Sequence, residues 1–145
     1  MKVVIQRVSN ANVVVNKEIV GEIEKGMVVL LGISNEDTEN TVEQMVNKII
    51  KLRIFSDEND KMNLSIKDID GKMLIISQFT LYANCKSGNR PSFSEAGKPE
   101  HANRLYEYFI SEVHKQQIGA EHGIFGADMK VTLTNDGPVT IILEA

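Results

Sequence analysis

The chain has a single cysteine, Cys85, so no internal disulfide can form. One free thiol and no disulfide framework suit a reducing compartment, and a cytoplasmic protein is the simplest expectation. No apolar run approaches the roughly 18 residues a membrane helix needs, so no membrane partner is expected. The first residues, Met1-Lys2-Val3-Val4-Ile5-Gln6-Arg7, carry charge inside their apolar run and show no small-residue cleavage pattern. They read as a first strand rather than a signal peptide. The familiar chemical motifs are missing too. No HExxH or CxxC spacing supports zinc, and His101, His114 and His122 share no ligand spacing. There is no Walker-type loop and no GxGxxG, and Gly123–Gly126 is a lone GxxG that reads as a turn. Without a GxSxG elbow, an α/β-hydrolase is unsupported. No metal and no cofactor are expected.

What is present describes an ordinary folded domain. The 145 residues are 42% hydrophobic and 25% charged, which is globular rather than disordered composition. One domain spanning residues 1–145 is expected, large enough to bury roughly 68–70% of the surface its unfolded chain exposes. The net charge of −4 argues against a general nucleic-acid binder but leaves room for a local basic patch. Lys86, Arg90 and Lys98 could supply one, or could be scattered cations on a solvated loop.

The patterning predicts strands first. Val13/Val15 and Ile19/Gly21/Ile23 alternate with polar residues, as half-buried strands do, while Met27–Ile33 is a continuous apolar run suited to a strand covered on both faces. Val42, Met45, Val46, Ile49 and Ile50 form an apolar helical stripe, with Asn35, Asp37 and Thr38 as capping candidates. Ser56–Asp60 is turn chemistry. Met73–Ile76 is a buried strand running into Ser77, residues 86–98 form a long loop, and Pro99 opens a second helix that buries Ala102, Leu105, Tyr106, Phe109, Ile110 and Val113. Val131/Leu133 mark a late strand, Asn135–Pro138 a turn, and Val139–Leu143 a last strand. The expected class is α+β, a compact, mostly antiparallel and barrel-like sheet carrying two main helices.

Two segments ask for a chemical explanation. Ser77-Gln78-Phe79-Thr80 places three hydrogen-bonding side chains directly after four aliphatics. It is either a strand passing from core to edge or a polar floor whose backbone N–H groups could hold a carbonyl oxygen. Gly137-Pro138 is either an ordinary turn or a special backbone, since X-Pro bonds adopt cis at a cost of only about 0.5–1 kcal/mol and glycine lets a ligand approach closely.

With these segments the chain resembles the D-aminoacyl-tRNA deacylases. The signatures are SQFTL at Ser77–Leu81 and NDGPVT at Asn135–Thr140, supported by IQRV at Ile5–Val8, RIFSD at Arg53–Asp57, KMN at Lys61–Asn63, RPSF at Arg90–Phe93 and ADM at Ala127–Met129. The resemblance implies hydrolysis of the ester joining a D-amino acid to the 3′-terminal adenosine of tRNA. It implies a homodimer in which Gly137-Pro138 of one subunit, in cis, enters the pocket of the other. The carbonyls of Gly137 and Pro138 would capture the α-amino group, an L side chain would meet a rigid wall, and Arg7 would orient the wall. Glycine has no side chain to reject, which extends the expectation to glycyl-tRNA mischarged on tRNA(Ala). Ser77, Gln78, Phe79 and Thr80 would form the catalytic floor, with the Phe79 and Thr80 amides as oxyanion donors. Thr80 is the one plausible protein nucleophile, yet no histidine or lysine is placed to activate it, so the substrate's ribose 2′-hydroxyl is the favoured assistant. Two other readings stand beside this one: a Thr80-dependent small-molecule esterase or amidase, and a non-catalytic module that binds the tRNA end.

Overall fold

A computed structural model describes residues 1–145. Strand β1 (Lys2–Val15) is the spine of the sheet. It buries Val3 and Ile5, then Val8, then Ala11 and Val13. The step from Ile5 to Val8 breaks the two-residue alternation, so the buried side switches face part-way along the strand. Asn16 and Lys17, with φ of 50° and 66°, make the tight turn into β2 (Glu18–Ile23). Paired positive φ values match the right-handed twist of a hairpin. Strand β3 (Gly26–Gly32) then returns antiparallel to the first half of β1.

Helix α1 (Glu39–Ile50) starts at Thr38, whose hydroxyl accepts from the Thr41 amide while the Thr41 hydroxyl accepts from the Thr38 amide. Of the three capping candidates, Thr38 is the cap. Asp37 instead accepts from the Met1 ammonium at 2.7 Å and from the Ser34 amide at 2.7 Å. The helix buries Val42, Met45, Val46, Ile49 and Ile50, the stripe the spacing predicted. Short strands β4 (Phe55–Ser56) and β5 (Met62–Leu64) flank the Ser56–Asp60 turn.

Strand β6 (Lys72–Ser77) lies parallel to β3, and β7 (Gly119–His122) lies parallel to β6. Helix α2 (Pro99–Lys115) has Pro99 in its first turn and buries Ala102, Leu105, Tyr106, Phe109 and Val113, with Ile110 only partly covered. Burying each large apolar side chain is worth about 1.5–3 kcal/mol, so this face fixes the helix to the sheet. The helices also meet directly, through Arg104 and Glu39 at 3.1 Å and the Tyr108 hydroxyl donating to Glu43 at 2.6 Å.

The strands follow the order β2-β1-β3-β6-β7, with strand β8 (Lys130–Glu144) on the other edge of β1. Four strand pairings are antiparallel and two are parallel. Two cores result. The larger lies under the helices and takes Val3, Ile5, Met27, Val29, Leu31, Met73 and Ile75 from the sheet. The smaller takes Val8, Ala11, Val13, Ile23, Val28, Leu74 and Ile76 from the opposite side. Strands β3 and β6 are thus covered on both faces, as their unbroken apolar runs predicted. The sheet curls around the smaller core until β2 approaches β7, where a Cβ added to Gly21 would sit 2.8 Å from the His122 carbonyl oxygen. The expected α+β, barrel-like architecture is the one observed.

One local expectation fails. Asn135–Pro138 does not separate two strands by a turn. β8 is a single 15-residue strand along β1. Gln6 pairs with Thr140 and Val8 with Asn135, so two steps on β1 are matched by five on β8 and three extra residues bulge out. Proline has no N–H to give a ladder, which confines it to such a bulge or an edge.

Candidate functional site

Strand β6 delivers Ser77 to the end of the sheet, where it pairs with Leu31. The chain does not continue as a strand. The Gln78 amide donates to the Leu31 carbonyl at 2.8 Å, and Phe79–Tyr82 wind into a 3-10 turn. The Leu81 amide donates to the Gln78 carbonyl and the Ala83 amide to the Thr80 carbonyl. A turn of this kind leaves its first N–H groups without a partner inside it, and here those belong to Phe79 and Thr80. Tyr82 anchors the turn: it is 8% exposed, and the Lys2 ammonium lies 4.8 Å from its ring centroid. Burial pushes the Tyr82 hydroxyl above the usual tyrosine range.

Beside this turn opens a cavity of about 670 Å³. Ser77, Gln78 and Phe79 line it, together with Phe93 and residues 96–98 from the long loop, Pro99 at the start of α2, and Phe125–Met129 from the segment before β8. Phe79 and Phe93 meet edge to face, with centroids 5.1 Å apart, an arrangement aromatic rings favour. Lys98 and Asp128 are the charged residues on the lining, and Asp128 is held by Lys130 at 3.1 Å. Thr80 is exposed and does not line the cavity, and its hydroxyl accepts from the Gln78 side-chain amide. Phe93, Phe125 and Met129 were not among the expected site residues. RPSF holds Phe93 and ADM holds Met129, and these strings were the available signal; Phe125 lies inside Gly123–Gly126, which local rules read as a turn.

The other expected residues form a second cluster. The Gly137–Pro138 peptide is cis, and Gly137 has φ of 138°, backbone that L side chains rarely adopt. Arg7 runs beneath it: Nε donates to the Asp136 carbonyl at 2.9 Å and Nη1 to the Ile54 carbonyl at 2.7 Å. Asn135 closes the bulge by accepting from the Val139 amide at 2.9 Å and donating to the Thr140 hydroxyl at 3.0 Å.

The two clusters do not meet within one chain. Ser77 is level with Leu31, and Leu31 with Val3, whereas Gly137 is level with Arg7, four residues further along β1. That is about 13 Å along the strands, and three inter-strand steps add about 14 Å across the sheet. Neither Gly137 nor Pro138 lines the cavity.

Residues 4–144 match the family described as D-Tyr-tRNA(Tyr) deacylase. The chain belongs to that family. It is 55% identical over 146 residues to a D-aminoacyl-tRNA deacylase of Thermosipho melanesiensis, covering 100% of this chain and 97% of that protein. It is 58% identical over 144 residues to one from Fusobacterium nucleatum, covering 99% and 95%. Among solved structures, the c-Myc DNA Unwinding Element Binding Protein superposes with a TM-score of 0.94 at 44% identity, covering 100% of this chain and 99% of that one. A probable eukaryotic D-amino acid tRNA deacylase superposes at 0.83 with 16% identity over 98% and 97%, which speaks to the shared fold. No helix is long and apolar enough to cross a membrane.

Proposed function

We propose that the protein hydrolyses the ester of D-aminoacyl-tRNA, releasing the D-amino acid and free tRNA, with residues 1–145 acting as one domain in the cytoplasm. Family membership over residues 4–144 supports the reaction. The observation that carries the local chemistry is the 3-10 turn after β6, whose leading amides sit beside a cavity walled by Ser77, Gln78 and Phe79. An ester carbonyl seated there would develop its negative charge against the Phe79 and Thr80 N–H groups, and such preorganised donors lower the barrier in acyl transfer.

The nucleophile is water, assisted by the ribose 2′-hydroxyl of the substrate. Thr80 does not line the cavity, and its hydroxyl accepts from the Gln78 side-chain amide. No base reaches it, and an unactivated hydroxyl is a weak nucleophile. This geometry disfavours the Thr80-dependent esterase.

The working unit is a homodimer, in which Gly137-Pro138 of one subunit completes the pocket of the other. Two observations support this. The clusters lie far apart within one chain, and β8 pairs only with β1, leaving its other edge open with Ile142 69% exposed. A long free edge carrying apolar side chains is a template for pairing with another chain. The carbonyls of the Gly137-Pro138 bulge would bind the α-amino group, and Arg7 would hold the bulge rigid. Rejection of the L form is steric and therefore needs a wall that does not yield. Glycyl-tRNA mischarged on tRNA(Ala) offers no side chain to that wall and is accepted.

The deciding experiment compares D-tyrosyl-tRNA with L-tyrosyl-tRNA. Rapid release of tyrosine from the D form alone is the expected result. If both esters persist, the protein is a binder of the tRNA end and not an enzyme. Light scattering should give twice the chain mass, and a fully active monomer would rule out the shared pocket.

A further inference from the structure

The loop between the 3-10 turn and α2 is an ordered arm. Asn84 and Ser92 exchange both backbone hydrogen bonds, at 2.8 and 3.0 Å, and close a hairpin whose tip spans residues 85–91. The Asn84 side chain accepts from the Lys86 amide at 3.0 Å, and Gly88 turns the tip with φ of 73°. Phe93 packs edge to face against Phe79, Ala96 bridges Ser34, and the Gly97 amide donates to the Ile33 carbonyl at 2.8 Å. The base of the arm is therefore part of the cavity wall, while its tip projects into solvent.

The tip carries Lys86 and Arg90 and no carboxylate, and Lys98 stands at the arm's base on the cavity lining. None of the three makes an ion pair, whereas Arg7, Arg104, Lys115 and Lys130 all do. Glu95 is the one acidic residue between Asn84 and Lys98, and Glu100 follows in the first turn of α2. The arm is thus net +2 on a chain of net −4.

We infer that this arm is the docking surface for the phosphates of the tRNA acceptor strand. The inference rests on the proposed deacylase reading, because it takes the 3′-terminal ester to be in the cavity. The nucleotides preceding that ester must then leave across the mouth, which the arm borders, each carrying a phosphate. The arm's backbone is fixed in advance, so binding need order only its side chains, and the acidic remainder of the surface repels the same phosphates. The arm would contribute affinity and orientation and no base specificity, since phosphate contacts carry no sequence information.

The test uses the full-length protein with the paired variant Lys86→Ala/Arg90→Ala and the charge-keeping variant Lys86→Arg/Arg90→Lys. Each is measured on D-tyrosyl-tRNA and on the 3′-D-tyrosyl ester of adenosine, which carries no phosphate, from about 50 to 200 mM salt. The alanine pair should lower kcat/KM on the tRNA roughly tenfold at low salt and make its logarithmic salt slope shallower by about 2. Its rate on the adenosine ester should not change, and the charge-keeping pair should restore the tRNA rate. Equal rates and slopes for wild type and alanine pair would overturn the inference. So would a parallel loss on both substrates without rescue, which would make the arm a wall of the cavity only. If the wild type hydrolyses neither ester, the deacylase reading fails. Anisotropy titration of uncharged tRNA then decides the arm separately: weaker binding by the alanine pair supports it, and equal binding overturns it.

Discussion

Arg7 grips the residue before the Gly137-Pro138 bulge: its Nε donates to the Asp136 carbonyl at 2.9 Å while Nη1 reaches the Ile54 carbonyl at 2.7 Å. One planar guanidinium therefore ties β8 to the segment after α1, and its side chain is only 12% exposed. Charge-assisted hydrogen bonds are worth about 1.5–3 kcal/mol each, so the link is strong for its size. Arg7→Ala should slow D-tyrosyl-tRNA hydrolysis by about 10²-fold through misplacement of the bulge. Arg7→Lys should recover little, because an ammonium cannot span both carbonyls with a fixed fork. Steady-state kinetics of the two variants check this, and near-complete rescue by lysine would show that charge alone matters.

Gly137→Ala should be nearly as damaging. Its φ of 138° disfavours any side chain, and an added Cβ would lie 2.8 Å from Val139 Cγ2 and 3.1 Å from Arg7 Nη2. Strain of this kind costs on the order of 1–3 kcal/mol. The variant should remain folded by circular dichroism while losing most deacylation, with a smaller ratio of D to L rates.

Thr80→Ala should keep most of the activity, within about tenfold of wild type, because it deletes a hydroxyl that serves Gln78 and leaves the Thr80 N–H in place. A substrate ending in 2′-deoxyadenosine should lose far more. Abolished turnover in Thr80→Ala with intact D-aminoacyl-tRNA binding would return the nucleophile to the protein.

The Phe79–Phe93 contact should be measurable as a coupling. Single and double alanine variants, compared by urea unfolding, should show about 0.5–1.5 kcal/mol of interaction for the edge-to-face pair. Purely additive losses would mean that the long loop is held by its backbone bonds alone.

The Asp57 carboxylate organises the β4–β5 turn and titrates below its ordinary 3.8. The leading cause is a side-chain hydrogen bond from Asn63, followed by the amide of Lys61, with the Asn59 amide adding a smaller contribution. A carboxyl whose pKa is lowered by folding stabilises the fold above its unfolded value, and that stability is lost as pH falls through the folded value. Asp57→Asn should therefore be less stable than wild type at neutral pH, and the gap should narrow below about pH 4. Urea midpoints across the acid range read this directly, and a constant gap would assign the effect to shape and not charge.

Much of the fold was legible because burial leaves a period in the sequence. The stripe at Val42, Met45, Val46, Ile49 and Ile50 could satisfy no other geometry, and Met27–Ile33 announced a strand covered on both sides. The bulge at Asn135–Pro138 was misread because Asn-Asp-Gly-Pro is turn chemistry by local rules. Those rules cannot sense that β1 runs alongside the whole of β8 and holds it as one strand. Likewise Ser77–Thr80 carried no turn signal, yet the chain winds into a 3-10 turn there, because Gln78 pairs with Leu31 and Tyr82 is buried against its surroundings.

The sequence by itself determined most elements and their apolar faces, and it singled out the two segments proposed to carry the chemistry, since these depend on residue types at short spacing. Tertiary structure alone decided where those segments stand. Ser77-Gln78-Phe79 became the wall of a cavity with free amides beside it, and Gly137-Pro138 became a bulge held by Arg7 at another level of the sheet. The reason is register. A segment's place across a curled sheet depends on pairings between residues more than a hundred positions apart, such as Val3 with Leu143, and no local pattern encodes them.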